Sequence, residues 1–216
     1  GWRRSTLPVG NDVVDLEDPD NRPTAIHPRF DRRVFTDAEL ARLNDASDED
    51  ARHRLRWSLW AAKESALKYL RQIDARISWH PREFAVRVET TAVARVRHGD
   101  RELAVTLDVT SRRVHAVTPA GADDALTALH RVESGAPPDA EEASTGVRRL
   151  AARATGRLLG IADEEITITG PGGRAAPRGA DIPRALRGGE RLAVDVSLSH
   201  DGRWLACAVR RRPDAG

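Results

Sequence analysis

The stretch Trp60-Ala-Ala-Lys-Glu-Ser-Ala-Leu-Lys68 decides how the rest of the chain is read. It lies inside residues 50–72, where Leu55, Leu59, Ala62, Ala66 and Tyr69 recur every three or four positions. That period predicts one amphipathic helix with Trp57 and Trp60 on its flank. Lys63 and Lys68 are the only lysines in the chain; the other 33 of its 35 basic residues are arginine. Placing two compact ammonium groups on one helix of an arginine-rich chain points to a chemical need for lysine there. Glu64 stands one turn before Lys68. The spacing fits an ordinary i,i+4 surface ion pair, and it equally fits a charged pair facing an apolar cleft.

Working outward, the pattern predicts an α+β fold. Residues 7–16 read as a short buried strand carrying Asp12 among aliphatics. Thr36, with Glu39 at the capping-box position, caps a helix within 30–43. Strand-like runs follow at 83–88, 103–109 and 113–118, with a turn at His98-Gly-Asp. Residues 135–145 read as a linker, and 145–160 as a second helix ending at Gly160. A strand at 165–169, a Gly/Pro/Arg loop at 170–190 and strands at 192–199 and 204–210 complete the chain. Together they suggest two similar layers packed on each other.

Composition narrows the class. Of 216 residues, 40% are hydrophobic and 31% charged, as in a soluble globular chain. No apolar run approaches the roughly 20 residues of a spanning helix, and no signal-peptide apolar region opens the chain, so no membrane association is expected. Cys207 stands alone, which excludes an internal disulfide framework and a multi-cysteine zinc site; the expected location is cytoplasmic. A net charge of +2 argues against a polybasic nucleic-acid binder. A chain that begins at Gly1 and holds no methionine fits either an expressed form of the protein or an excised piece of a longer one.

Two further clusters could carry chemistry. Gly10-Asn-Asp-Val-Val-Asp15 puts Asp12 on a buried strand, which is costly unless the carboxylate is paired or binds a metal; the plainer reading is a strand-end cap. Ser197-Leu-Ser-His-Asp-Gly202 ends a strand at a turn. Ser199 and His200 cannot act as a nucleophile–base pair, because successive strand residues face opposite ways. Gly170-Pro-Gly-Gly lacks the Gly-Lys-Ser/Thr of a phosphate loop.

In chain order, the Gly-x-Asp strand, the Trp-x-x-Lys-Glu-Ser helix ending in Lys68, and the Ser-x-Ser-His strand resemble the 4′-phosphopantetheinyl transferase superfamily. The resemblance implies a magnesium-dependent enzyme that moves the phosphopantetheine arm of coenzyme A to a serine of an apo acyl or peptidyl carrier protein, releasing 3′,5′-ADP. It implies Asp12 and Glu64 as magnesium ligands, with Glu64 and Lys68 catalytic. It places Lys63, Arg148, Arg174, Arg178, Ser199 and His200 on coenzyme A, the serine, histidine and Arg148 at its 3′-phosphate. Glu39 matches a family acidic position, whereas Val14 stands where the surfactin-synthetase type carries a third acid. In that longer type the Ser-His segment comes before the Gly-x-Asp strand; here it comes last. The resemblance therefore implies two pseudo-symmetric halves in swapped order, 1–135 and 144–212, each a small antiparallel sheet packed with helices. A monomer would then suffice as a pseudo-dimer. The competing reading is a non-catalytic module of the same fold that binds carrier protein or nucleotide.

Overall fold

A computed structural model describes residues 8–121, 124–133, 135–170 and 182–212; Arg174 and Arg178 lie outside them. The long helix is present as α3 (Glu49–Ile73), started by the Asp48 side chain, which accepts the Ala51 N–H. Its Leu59, Ala62, Ala66 and Tyr69 are buried as the period required. They pack against an antiparallel sheet of β1 (Gly10–Asp15), β2 (Ala85–Val88), β3 (Val93–His98), β4 (Arg101–Val109) and β5 (Arg113–Thr118). The order in that sheet is β1-β5-β4-β3-β2. Beyond α3, Phe30, Trp57, Trp60, Trp79 and Phe84 form a run of edge-on and tilted ring contacts.

The helix expected within 30–43 is two helices, α1 (Phe30–Val34) and α2 (Asp37–Asn44). The break has a local cause. Thr36 takes an extended conformation and its hydroxyl accepts the Glu39 N–H while Glu39 accepts the Thr36 N–H, so the expected capping box starts a fresh helix.

The second layer is built on α4 (Ala140–Leu159), which closes at Gly160 in the left-handed region, where a glycine is favoured. α4 begins inside the expected linker because Asp139 and Glu142 form a second capping box. It packs on a sheet of order β10-β11-β6, made of β6 (Ala125–Arg131), β10 (Val194–Asp201) and β11 (Trp204–Arg211). A small sheet of β7 (Ile166–Thr169), β8 (Arg184–Arg187) and β9 (Glu190–Arg191) flanks it. Four strands escape the sequence pattern: β3 and β8 interleave arginines with aliphatics, β6 is half-buried on both faces, and β9 is two exposed charged residues. β6 falls within 1–135 but pairs with β11, so by hydrogen bonding the chain crosses to the second layer before Ala125.

Two contacts position the site, one joining the layers and the other setting β1 on α3 within the first layer. The first is a parallel seam between β1 and β10. Asn11, Val13 and Asp15 donate their N–H groups to Ser197 Oγ (2.9 Å), Ser199 Oγ (3.1 Å) and Asp201 Oδ2 (2.7 Å). Strand period 2 keeps all three acceptors on one side of β10 and satisfies an edge that would otherwise be bare. The second is Gly10, where β1 crosses α3. A Cβ at this position would overlap the Ser65 carbonyl oxygen and lie 2.7 Å from the Tyr69 amide nitrogen, so only glycine permits the approach.

Gly10→Ala is therefore expected to lower stability by about 1–3 kcal/mol, the usual cost of overpacking, as read by thermal or urea denaturation. Wild-type stability would mean that β1 and α3 can separate freely at this crossing.

Candidate active site

The Gly10 crossing sets Asp12, two residues along β1, against the next turn of α3. Lys68 Nζ lies 2.7 Å from Asp12 Oδ1 and also donates to the Asn11 carbonyl at 3.0 Å. The lysine thus pairs across the strand with Asp12, whereas sequence spacing offered Glu64 as its partner. Ser199, reaching over from β10, donates to the same Asp12 oxygen at 2.8 Å. Asp12 is buried by these contacts.

Asp12, Glu64, Lys68, Ser199 and His200 line one cavity of about 380 Å³ between the two layers. Leu67, Val147, Ile182, Pro183 and Leu198 give it an apolar wall. A smaller cavity of about 200 Å³ opens on Asp12, Glu64 and His200 as well, and is otherwise bordered by Val13, Val14, Asn21, Trp57, Trp60 and Asp201. Five of the expected residues are therefore brought together.

The electrostatics follow from this crowding. Burial, and then the charge of Asp12, push the Glu64 carboxyl up to about 7, while Lys68 and Arg71 pull it back. Burial, with Lys68 and Arg148 nearby, lowers His200, so its ring is neutral at pH 7. Asp201 rises to about 6, chiefly through burial, although the Asp15 N–H and the Asn21 amide both hold its charged form.

Lys63 stands elsewhere. Its side chain is 0% exposed, and its ammonium is bound by Glu39 at 2.8 Å and by the Pro81 and Phe84 carbonyls at 3.1 and 2.6 Å. Glu39 also accepts the Val86 N–H. The expected coenzyme A contact is thereby corrected: the stem of Lys63 points into the core and its charge ties α3 to α2 and β2. Burial lowers the ammonium and Glu39 opposes that shift.

Arg148 is near the site without lining it. Its guanidinium grips the Gly170 carbonyl at 2.8 and 3.0 Å and the Ser144 carbonyl at 3.0 Å. The hydroxyl of Ser199 is directed to Asp12 and the Val13 amide, at the carboxylate end of the cavity. Sequence reasoning missed Arg71, Gln72, Ser144 and Asp201. The first two follow Lys68 by three and four residues, so helical spacing alone marks that face. Gln72 Nε2 also donates to the Val9 carbonyl at 2.6 Å and to the Val196 carbonyl at 3.3 Å, clamping both strands.

Among the described residues, no group of three or more His, Cys, Asp and Glu side chains is arranged to hold a metal. No helix among the described residues is long and apolar enough to cross a membrane. A profile of the 4′-phosphopantetheinyl transferase superfamily matches residues 8–119. No curated protein matches the chain.

Two outcomes are expected. Lys63→Met leaves Glu39 as a buried uncompensated charge and should cost about 3–5 kcal/mol in urea denaturation; pairing it with Glu39→Gln should recover part of the loss. Glu64→Gln should raise the melting temperature at pH 8. A folded-state carboxyl raised above its unfolded value loses stability as pH climbs through about 7. The advantage of Gln should therefore shrink as pH falls toward the unfolded value of 4.5.

Proposed function

The chain belongs to the 4′-phosphopantetheinyl transferase superfamily, whose profile covers β1 through β5 and α3, and we propose that it is a magnesium-dependent holo-acyl-carrier-protein synthase. The donor is coenzyme A, the acceptor a serine of an apo acyl or peptidyl carrier protein, and the product 3′,5′-ADP. The observation that carries the reading is the meeting of Asp12, Glu64, Lys68 and His200 in one cavity between the two layers.

The donor set suits magnesium. That ion takes one or two carboxylates and completes its octahedron with phosphate oxygens and water. Asp12 and Glu64 are two such groups, near enough that the charge of one raises the other. When bound, magnesium neutralises charge on the donor's diphosphate. Lys68 supplies a further positive charge at the same end of the cavity, a point ammonium held by Asp12 and the Asn11 carbonyl. The apolar wall excludes water from the rest of the cavity. The neutral His200 and Ser144 offer hydrogen bonds toward the nucleotide.

In the reaction the serine oxygen bonds to the phosphorus that bears pantetheine. The bond from that phosphorus to the bridging oxygen breaks, 3′,5′-ADP leaves with the electron pair, and the serine proton passes to water. Both layers contribute a wall, β1 and α3 from one and α4 and β10 from the other, so a monomer would hold the whole site. Either Arg174 or Arg178, in the stretch Gly173-Arg-Ala-Ala-Pro-Arg178 that resembles the family's Gly-Lys-Pro loop, would supply a basic residue to coenzyme A.

Incubating the protein with apo carrier protein, coenzyme A and magnesium should add one phosphopantetheine, about 340 Da, by mass spectrometry. Lys68→Arg should slow transfer about 10²-fold with the fold intact, since a planar fork cannot replace a point ammonium. No mass gain with any apo acyl or peptidyl carrier would reject the transferase reading.

A further inference from the structure

The site has two mouths. The larger cavity and the smaller one share Asp12, Glu64 and His200 and open on different surroundings. The larger is lined by Lys68, Arg71 and an apolar wall, and its volume of about 380 Å³ suits the nucleotide half of the donor. The smaller, about 200 Å³, has indole walls from Trp57 and Trp60 and a carboxylate, Asp201, at its rim.

We propose that the smaller cavity is the entrance for the acceptor hydroxyl, so that donor and acceptor use separate mouths of one site. The inference rests on the transferase reading above and deepens it. Its ground is stereochemical. In phosphoryl transfer the attacking and leaving oxygens stand roughly in line on opposite sides of phosphorus. With 3′,5′-ADP leaving into the larger cavity, which takes α3 residues from Glu64 to Gln72, the attacking oxygen would come from the other side of Glu64, where Trp57 and Trp60 of α3 line the smaller cavity. The serine oxygen–phosphorus bond forms on this side while the bond to the bridging oxygen breaks on the other, and the serine proton departs to water in the smaller mouth.

The lining also defines what can enter. Asp201 and the indoles of Trp57 and Trp60 border the space, a lining that suits an uncharged hydroxyl side chain better than an anionic one. The volume admits one protruding side chain and excludes a folded segment. The walls are held in place: Trp57 Nε1 donates to the Asn21 carbonyl at 3.1 Å, and Asn21 Nδ2 donates to Asp201 at 2.6 Å. Trp60 stacks among Phe30, Trp57 and Trp79 with ring centroids 5.5–6.4 Å apart. Trp60 is thus a specificity-determining wall for the acceptor, eight residues before Lys68 on α3 and absent from the lining of the larger cavity.

The test compares wild type, Trp60→Leu and Trp60→Phe in steady-state transfer, with coenzyme A affinity measured separately by calorimetry. Trp60→Leu should raise KM for the apo carrier protein about tenfold and leave coenzyme A affinity within about twofold, with Trp60→Phe restoring most of the loss. In wild type, which needs no variant to fold, 3′,5′-ADP should compete with coenzyme A and be noncompetitive toward the carrier. Competition of 3′,5′-ADP with both substrates, or a Trp60→Leu effect on coenzyme A affinity instead of carrier KM, would overturn the two-mouth assignment. A wild-type protein that transfers nothing would instead reject the transferase reading itself.

Discussion

Three backbone amides of β1 find their partners in side chains 186 residues away, and the cavity exists because of that seam. A buried N–H without a partner costs about as much as a lost hydrogen bond, and β1 would present three along one edge. Ser197, Ser199 and Asp201 answer them one for one, at the period a strand imposes. The constraint fixes the register between the layers as firmly as a ladder would. It leaves the opposite side chains of β10 free to face the cavity, where His200 stands.

The seam and the candidate pocket are one construction. Ser199 accepts from the Val13 amide and donates to Asp12, so the group that aligns the layers also orients a carboxylate. On the far side of β1, Gly10 lets α3 approach until Lys68 can reach the same carboxylate. Asp12 is thereby held from both directions. The price of such crowding is visible at Glu64, whose carboxyl is pushed toward neutrality by burial and by its neighbour's charge. Perturbed acids of this kind gather where chemistry needs them.

Much of this was legible in the sequence. The period of α3, the Thr36 capping box and the Gly160 stop are local signals, and they hold because local signals need no tertiary partner to be read. The grouping of Asp12, Glu64, Lys68, Ser199 and His200 was legible only through family resemblance, since no spacing rule joins β1 to β10. Lys63 misled because lysine scarcity marks both lysines alike: one ammonium faces the cavity, and the other is sealed in the core on Glu39. The strand β6 was missed because its half-buried faces carry no clean alternation. Asp201 went unnoticed for a different reason, that its partners Asp15 and Asn21 are distant in sequence and visible only in space.

The distance along the chain between β1 and β10 bears on biosynthesis. β1 leaves the ribosome before β10, and the side chains that complete its outer edge are made 186 residues later. At about 5–20 residues per second, the nascent edge waits roughly ten seconds or more with its amides unanswered, open to pairing with any passing strand. A chain cut short before Ser197 would never close that edge. Premature termination should thus produce aggregation-prone fragments in which the cleft is never completed.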